Sequence, residues 1–103
     1  MNILYLAIFN SKIDREQLKV FLDTLSGVTN WFYSMPNSIF IVSTLTAAEL
    51  FTQIENKFGQ NRFFLTEVHQ INRQGRMPTE HWDIVSSLNS VDTTPEHPKG
   101  EIK

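Results

Sequence analysis

The sequence predicts an α+β fold in which the elements follow the order β-α-β-β-α-β. Two observations predict it. Four runs rich in apolar and aromatic residues have the length of strands, and two segments between them carry apolar residues at helical spacing behind a capping signal. The chain has 103 residues, of which 41% are hydrophobic, so we expect one domain with a packed core.

The first strand, residues 3–9 (ILYLAIF), is apolar at every position. A strand with one face in water would alternate apolar and polar residues. The run therefore predicts a central strand that is covered on both faces.

Both helices are predicted from a cap and an apolar stripe. In the first, Asp14 and Gln17 have capping-box spacing, and the dipeptide 26–27 (SG) ends the segment. In the second, Thr46 and Glu49 form another capping box, and Gly59 is a natural stop. The apolar stripes are Leu18, Phe21, Leu22 and Leu25 in the first helix, and Leu50, Phe51, Ile54 and Phe58 in the second.

The remaining strands complete the sheet. Residues 31–35 and 38–42 predict a hairpin around the turn at 36–38 (PNS), and residues 62–71 predict the fourth strand. With right-handed crossovers this order gives the ferredoxin-like sandwich, in which two helices cover one face of a four-stranded antiparallel sheet.

The end of the chain predicts a short helix and a tail. Residues 78–88 form the helix, which Thr79 caps and in which Trp82 and Val85 lie one turn apart. The residues after it include two prolines and almost no apolar side chains, which predicts disorder. We therefore expect a single domain over residues 1–88 and a disordered tail over residues 89–103.

The first strand predicts self-association, because its two faces are both apolar while the helices cover only one. Two copies that pair through their sheets would cover the remaining face. The alternative is that the segment after residue 76 folds over the sheet. The aromatic residues expected at the dimer interface are Tyr5, Trp31, Tyr33 and Trp82; a second interpretation makes Trp31 and Tyr33 a platform on which nucleic-acid bases stack.

Basic residues are concentrated in one region, although the whole chain has a net charge of -2. Residues 57–76 hold four cations against the single acid Glu67. A loop that carries arginines around Gly75 could bind phosphate or carboxylate groups, and the alternative is a solvated turn. The residues expected to bind an anion or nucleic acid are Lys57, Arg62, Arg73 and Arg76.

Few residues suggest catalysis. The three histidines lack metal-ligand spacing, and the chain has neither a Gly-rich phosphate loop nor a G-x-S-x-G motif, so we expect no metal site. Asp14 is a candidate for binding Mg²⁺ across a two-fold axis, but a helix cap also explains it.

The composition predicts a cytoplasmic protein without a cofactor. The absence of cysteine suits a reducing compartment. The amino-terminal apolar run is too short for a membrane helix and lacks the flanks of a signal peptide.

Four strings in order resemble a known family: NWFYSMPNSIFIVST, TAAEL, NRFFLTEVHQINRQG and MPTEHWDIV. Over residues 3–88 the chain is similar to the small ferredoxin-like family of the CRISPR-associated adaptation protein of the second type and its VapD-like and SinR-like relatives, with the SinR-like branch nearest. The resemblance implies a homodimer joined across the sheets and a setting in nucleic-acid biology. Nucleases of this family carry an aspartate at the end of the first strand, where this chain has Asn10, so the resemblance does not extend to the nuclease site.

The function expected from the sequence is a homodimeric binding module, without catalysis of its own, in nucleic-acid-related or mobile-element and defence biology. Its partners would be a second copy, RNA or DNA, or another protein, but no membrane. The alternatives are an Mg²⁺-dependent RNase or DNase, and a factor that binds and blocks another protein.

Overall fold

A computed structural model describes residues 1–69 and 76–89 of the chain. The chain divides into two compact units, Met1–Glu67 and Val68–Lys103. The elements of the first unit are β1 (Ile3–Phe9), α1 (Arg15–Asp23), β2 (Val28–Phe32), β3 (Ser38–Ser43), α2 (Ala47–Phe58) and β4 (Phe63–Glu67). The second unit contains α3 (Thr79–Asn89).

The four strands form one antiparallel sheet in the order β2-β3-β1-β4. This order, with the two helices as crossovers, is the ferredoxin-like arrangement and confirms the predicted fold. The strand β1 pairs with β3 on one side and with β4 on the other. Its central position explains why it is apolar throughout, and its bounds agree with the predicted strand over residues 3–9.

The core lies between the sheet and the helices α1 and α2. The odd-numbered residues of β1 and β3 contribute to it, because side chains of a strand alternate between faces. Every member is at most 5% exposed, so its side chain has left water almost completely. The members are Tyr5, Ala7, Phe9, Ile13, Leu18, Leu22, Ile39, Ile41, Leu50 and Ile54.

The helix caps form as local chemistry predicts, with one difference. Thr46 and Glu49 make the reciprocal capping box, with bonds of 3.1 and 2.9 Å. Asp14 also caps α1, but its carboxylate accepts the backbone N–H of Glu16 at 3.0 Å, rather than the bond three residues on that the spacing with Gln17 suggests.

The helix α1 ends at Asp23, before the predicted stop at Ser26 and Gly27. Thr24 closes it, since its hydroxyl donates to the Phe21 carbonyl at 2.6 Å. Gly27 instead permits a close approach, because a Cβ atom there would lie 2.7 Å from the Leu45 side chain.

Two strand boundaries were wrong in the sequence interpretation. The strand β2 spans Val28–Phe32 instead of residues 31–35, because the chain uses residues 33–37 to reverse direction, with Asn37 at a φ of 58°. The strand β4 ends at Glu67, whereas the predicted strand ran to Ile71, which lies outside the described residues. The predicted terminal helix is confirmed as α3, and the predicted tail beyond Asn89 also lies outside them.

The second face of the sheet, away from α1 and α2, is apolar as well. Of its members, Leu4, Phe32, Phe40 and Val42 are less than 10% exposed and Leu6 is half-buried. Ile8 and Phe64, in contrast, are 49% and 63% exposed. The open apolar surface of this face is therefore concentrated where β1 ends and β4 begins. No helix in the described part of the chain is long and apolar enough to cross a membrane.

Candidate nucleic-acid interface

Three segments meet at the end of the sheet where β1 finishes. The backbone N–H of Asn10 donates to the Arg62 carbonyl at 3.1 Å, which joins the β1–α1 loop to the residue before β4. The N–H of Phe9 donates to the Asn37 carbonyl at 3.0 Å, which brings in the β2–β3 turn. The carboxyl-terminal end of α2 also lies here, because only residues 59–62 separate it from β4.

The β1–α1 loop has a defined shape. The Asn10 side-chain oxygen accepts the backbone N–H of Lys12 at 3.0 Å, and the Asn10 carbonyl accepts the N–H of Ile13 at 3.2 Å. This is the turn that asparagine side chains favour. Ile13 is buried and anchors the loop, which leaves Lys12 exposed.

Exposed cations from three segments collect at this end. Lys12 comes from the loop, Lys57 from the last turn of α2, and Arg62 from the residue before β4. We call these three residues the basic end. Three acids, Asp14, Glu16 and Glu55, also lie toward this end, but Asp14 caps α1 and Glu16 is paired with Lys19.

Acidic residues collect at the opposite end of the sheet. Asp23 ends α1, Glu49 lies in the first turn of α2 and Glu67 ends β4. The first unit is therefore electrically polarised along its strands. A polyanion that approaches it is attracted to one end and repelled from the other.

Tyr5 lies in the core near the acidic end. Its side chain is 1% exposed, and its hydroxyl donates to the Leu45 carbonyl at 2.7 Å. Burial raises the pKa of Tyr5 above 10.0, and the charges of Glu67 and Glu49 add to that shift. The residue that the sequence assigned to a dimer interface is thus enclosed beneath the helices.

The raised pKa of Tyr5 predicts a titration result. The folded state favours the neutral phenol of Tyr5. The stabilisation that this group provides is therefore fully present below about pH 10, and it is lost as the pH rises beyond that value and the phenol ionises. An absorbance titration of the phenolate in the folded protein should therefore contain a step above the ordinary range, and Tyr5→Phe should remove it. A late step that persists in Tyr5→Phe would contradict the assignment.

Trp31 and Tyr33 lie on the helix-covered side, at the β2 edge. Their rings are nearly parallel, 13° apart, with centroids separated by 6.5 Å. The Arg15 guanidinium carbon lies 3.7 Å from the Tyr33 ring centroid, and the Lys19 ammonium lies 5.2 Å from that of Trp31. The Trp31 indole N–H donates to Asp23 at 2.7 Å. These contacts attach α1 to the edge strand.

Lys19 and Arg15 are held in place by further contacts. The Glu16 carboxylate accepts a hydrogen bond from Lys19 at 2.9 Å, and this bond raises the pKa of Lys19. The Arg15 guanidinium donates to the Met35 carbonyl at 2.7 Å. Arg15 and Lys19 both form contacts within the first unit, and through them the Trp31–Tyr33 pair packs against α1. The predicted roles of this pair, in a dimer interface or as a platform for bases, stay predictions.

The sequence interpretation missed Phe64. Phe63 and Phe64 are adjacent on β4, so they point to opposite faces. Phe63 stacks on Phe51, with ring centroids 4.8 Å apart, whereas Phe64 is 63% exposed on the second face. Alternation showed that one of the two must point outward, but the pairing of β4 with β1 decides which one does.

The remaining sequence candidates are dispersed or occupied. Arg73 lies outside the described residues, Arg76 is exposed in the second unit, and Trp82 is half-buried in α3. Asp14 caps a helix and Asn10 shapes a turn. Within residues 1–69 and 76–89, no group of three or more histidine, aspartate or glutamate residues could hold a metal ion.

Comparison with known proteins adds no relative. No family model, no curated protein and no solved structure matches this chain.

Proposed function

We propose that this chain is a nucleic-acid-binding module without catalysis of its own. The observation that carries the proposal is the basic end, where Lys12, Lys57 and Arg62 are exposed at the same end of the first unit although the chain as a whole is acidic. Phosphate contacts by such residues supply most of the affinity of proteins that bind nucleic acid without reading sequence.

The resemblance of the four sequence strings supports the same class of function. The family of the CRISPR-associated adaptation protein of the second type, with its SinR-like branch, acts in nucleic-acid biology and shares the ferredoxin-like fold. The proposal therefore includes a cytoplasmic setting in mobile-element or defence biology.

Two side chains support a binding role over a nuclease role. Asn10, at the position where the family's nucleases carry an aspartate, uses its oxygen to bind the Lys12 N–H. The Asp14 carboxylate accepts the Glu16 N–H. Mg²⁺ is held by charged carboxylate oxygens, whereas Asn10 adds no negative charge and the Asp14 carboxylate already uses one oxygen to cap α1.

Self-association is the second part of the proposal, and it rests on the second sheet face. Four apolar side chains of that face are already buried within the chain, and Ile8 and Phe64 stay exposed. Two such side chains offer on the order of 200 Å² of apolar surface, whereas a stable interface buries about 800 Å² on each partner. We therefore expect a weak dimer that dissociates on dilution.

The experiment that tests the proposal is the molar mass of the full chain in solution, with and without a short oligonucleotide. We expect the molar mass of the protein to increase by the mass of one oligonucleotide and to return to its original value as the salt concentration is raised. The same mixtures, incubated with Mg²⁺ or Mn²⁺, should contain uncleaved oligonucleotide. A mass that does not change with any oligonucleotide would contradict nucleic-acid binding and favour the protein-blocking alternative.

A further inference from the structure

The open end of the second sheet face combines apolar and basic side chains. Ile8 and Phe64 are cross-strand partners in the β1–β4 register, at 49% and 63% exposure. Their side chains therefore lie next to each other on the same face. The exposed Phe64 ring and the exposed Ile8 side chain together form an open apolar patch on this face.

Arg62 is on the same face as Phe64. The bond between the Asn10 N–H and the Arg62 carbonyl continues the β1–β4 ladder by one more pair, so Arg62 is still extended. Residues two apart on a strand project to the same side. Arg62 is exposed, and Lys12 follows in the loop that Asn10 shapes. The exposed Phe64 ring and two exposed cations thus lie at the same end of the sheet.

We infer that this end binds single-stranded nucleic acid, with an unpaired base stacked on Phe64 and the adjoining phosphates held by Arg62 and Lys12. The inference rests on the proposed function and specifies its ligand. Bases of a duplex are stacked on one another and present only their edges, so a protein ring cannot cover them without opening the helix. Every unpaired base offers a face, and stacking on an aromatic side chain does not depend on its identity.

Charge and area favour this ligand over a second copy. Two copies that met through Ile8 and Phe64 would bring their basic ends together and repel each other, whereas phosphates are attracted to this end. The apolar area at Ile8 and Phe64 suits one or two bases but is about a quarter of what each partner of a stable protein dimer buries. At low protein concentration, where the expected weak dimer dissociates, this end is open to the nucleic acid.

The test compares labelled single-stranded and duplex oligonucleotides of equal length, titrated with the full chain and its variants at several salt concentrations. The wild-type protein should bind the single strand more tightly. Phe64→Ala should weaken single-strand binding about 5- to 100-fold, in line with the loss of one stacked base. The salt dependence should stay unchanged in Phe64→Ala, because no phosphate contact is lost, and Phe64→Tyr should keep the wild-type affinity.

Arg62→Gln tests the phosphate contact separately from stacking. For a single strand, it should reduce the slope of the logarithm of the association constant against log salt by about 0.7. Phe64 is exposed, so its substitution leaves the core intact, and a thermal melt of each variant verifies folding.

Three results would overturn the inference. Equal binding of duplex and single strand, with no effect of Phe64→Ala, would leave nucleic-acid binding standing but remove the stacking site. Dissociation of a dimer by Phe64→Ala, without a change in oligonucleotide affinity, would assign the patch to a second copy. Failure of the wild-type protein to bind either oligonucleotide would overturn both the inference and the proposed function.

Discussion

Neutralising two cations of the basic end, by Lys12→Gln together with Arg62→Gln, should weaken oligonucleotide binding on the order of 100-fold at low salt. Each substitution removes one charge-assisted contact to phosphate, and the loss of one such contact lowers the affinity on the order of tenfold. For a single-stranded oligonucleotide, the slope of the logarithm of the association constant against log salt should decrease by about 1.4, because each of the two lost phosphate contacts contributes about 0.7. Fluorescence anisotropy of a labelled oligonucleotide at graded salt measures both quantities.

The matched control changes the net charge by the same amount elsewhere. Thr52→Glu with Gln53→Glu also makes the chain more acidic by two charges, at exposed positions in the middle of α2. This control should lower the affinity only slightly, through long-range repulsion that salt screens. If the control and the double variant lose the same affinity, then the net charge of the chain and not the basic end governs binding.

Leu22→Ala should lower the free energy of unfolding by about 2–5 kcal/mol. Leu22 is completely buried and belongs to the cluster between α1 and the sheet. Its truncation removes apolar contacts and leaves a cavity that the surrounding side chains fill only in part. Since small domains are stable by about 5–15 kcal/mol, the loss is a large share of the total. Denaturation in urea, followed by circular dichroism, gives the value.

Val20→Ala is the control for Leu22→Ala on the same helix. Val20 is 67% exposed, so its truncation creates no cavity. Alanine has the higher helix propensity, and the change should therefore alter the free energy of unfolding by no more than about 0.5 kcal/mol. Similar losses in both variants would mean that α1 does not pack on the sheet through the face that carries Leu22.

The candidate site was predicted from sequence only in part. Lys57 and Arg62 were expected to bind an anion, and both lie at the basic end. Lys12 was not expected there, because it is fifty positions from Arg62 in the chain and a backbone bond between Asn10 and Arg62 brings the two segments together. Tyr5 was assigned to a dimer interface, but only the placement of the helices shows that its side of β1 is the enclosed one.

Local patterns in the sequence determined the order of the elements, the bounds of β1 and the Thr46–Glu49 cap, because each depends on side chains within a few residues of one another. The sequence patterns placed the ends of α1 and β2 incorrectly, although Thr24 ends α1 and the turn with Asn37 follows β2. Contacts between distant residues were not predictable from such patterns: Arg15 reaches the Met35 carbonyl twenty positions away, and Gly27 lets Leu45 approach. The tertiary structure alone decided which face of each strand is covered, and therefore which of two adjacent phenylalanines meets the solvent. The alternation of side chains gives every strand two faces, whereas helix packing and strand pairing determine which face becomes part of the core.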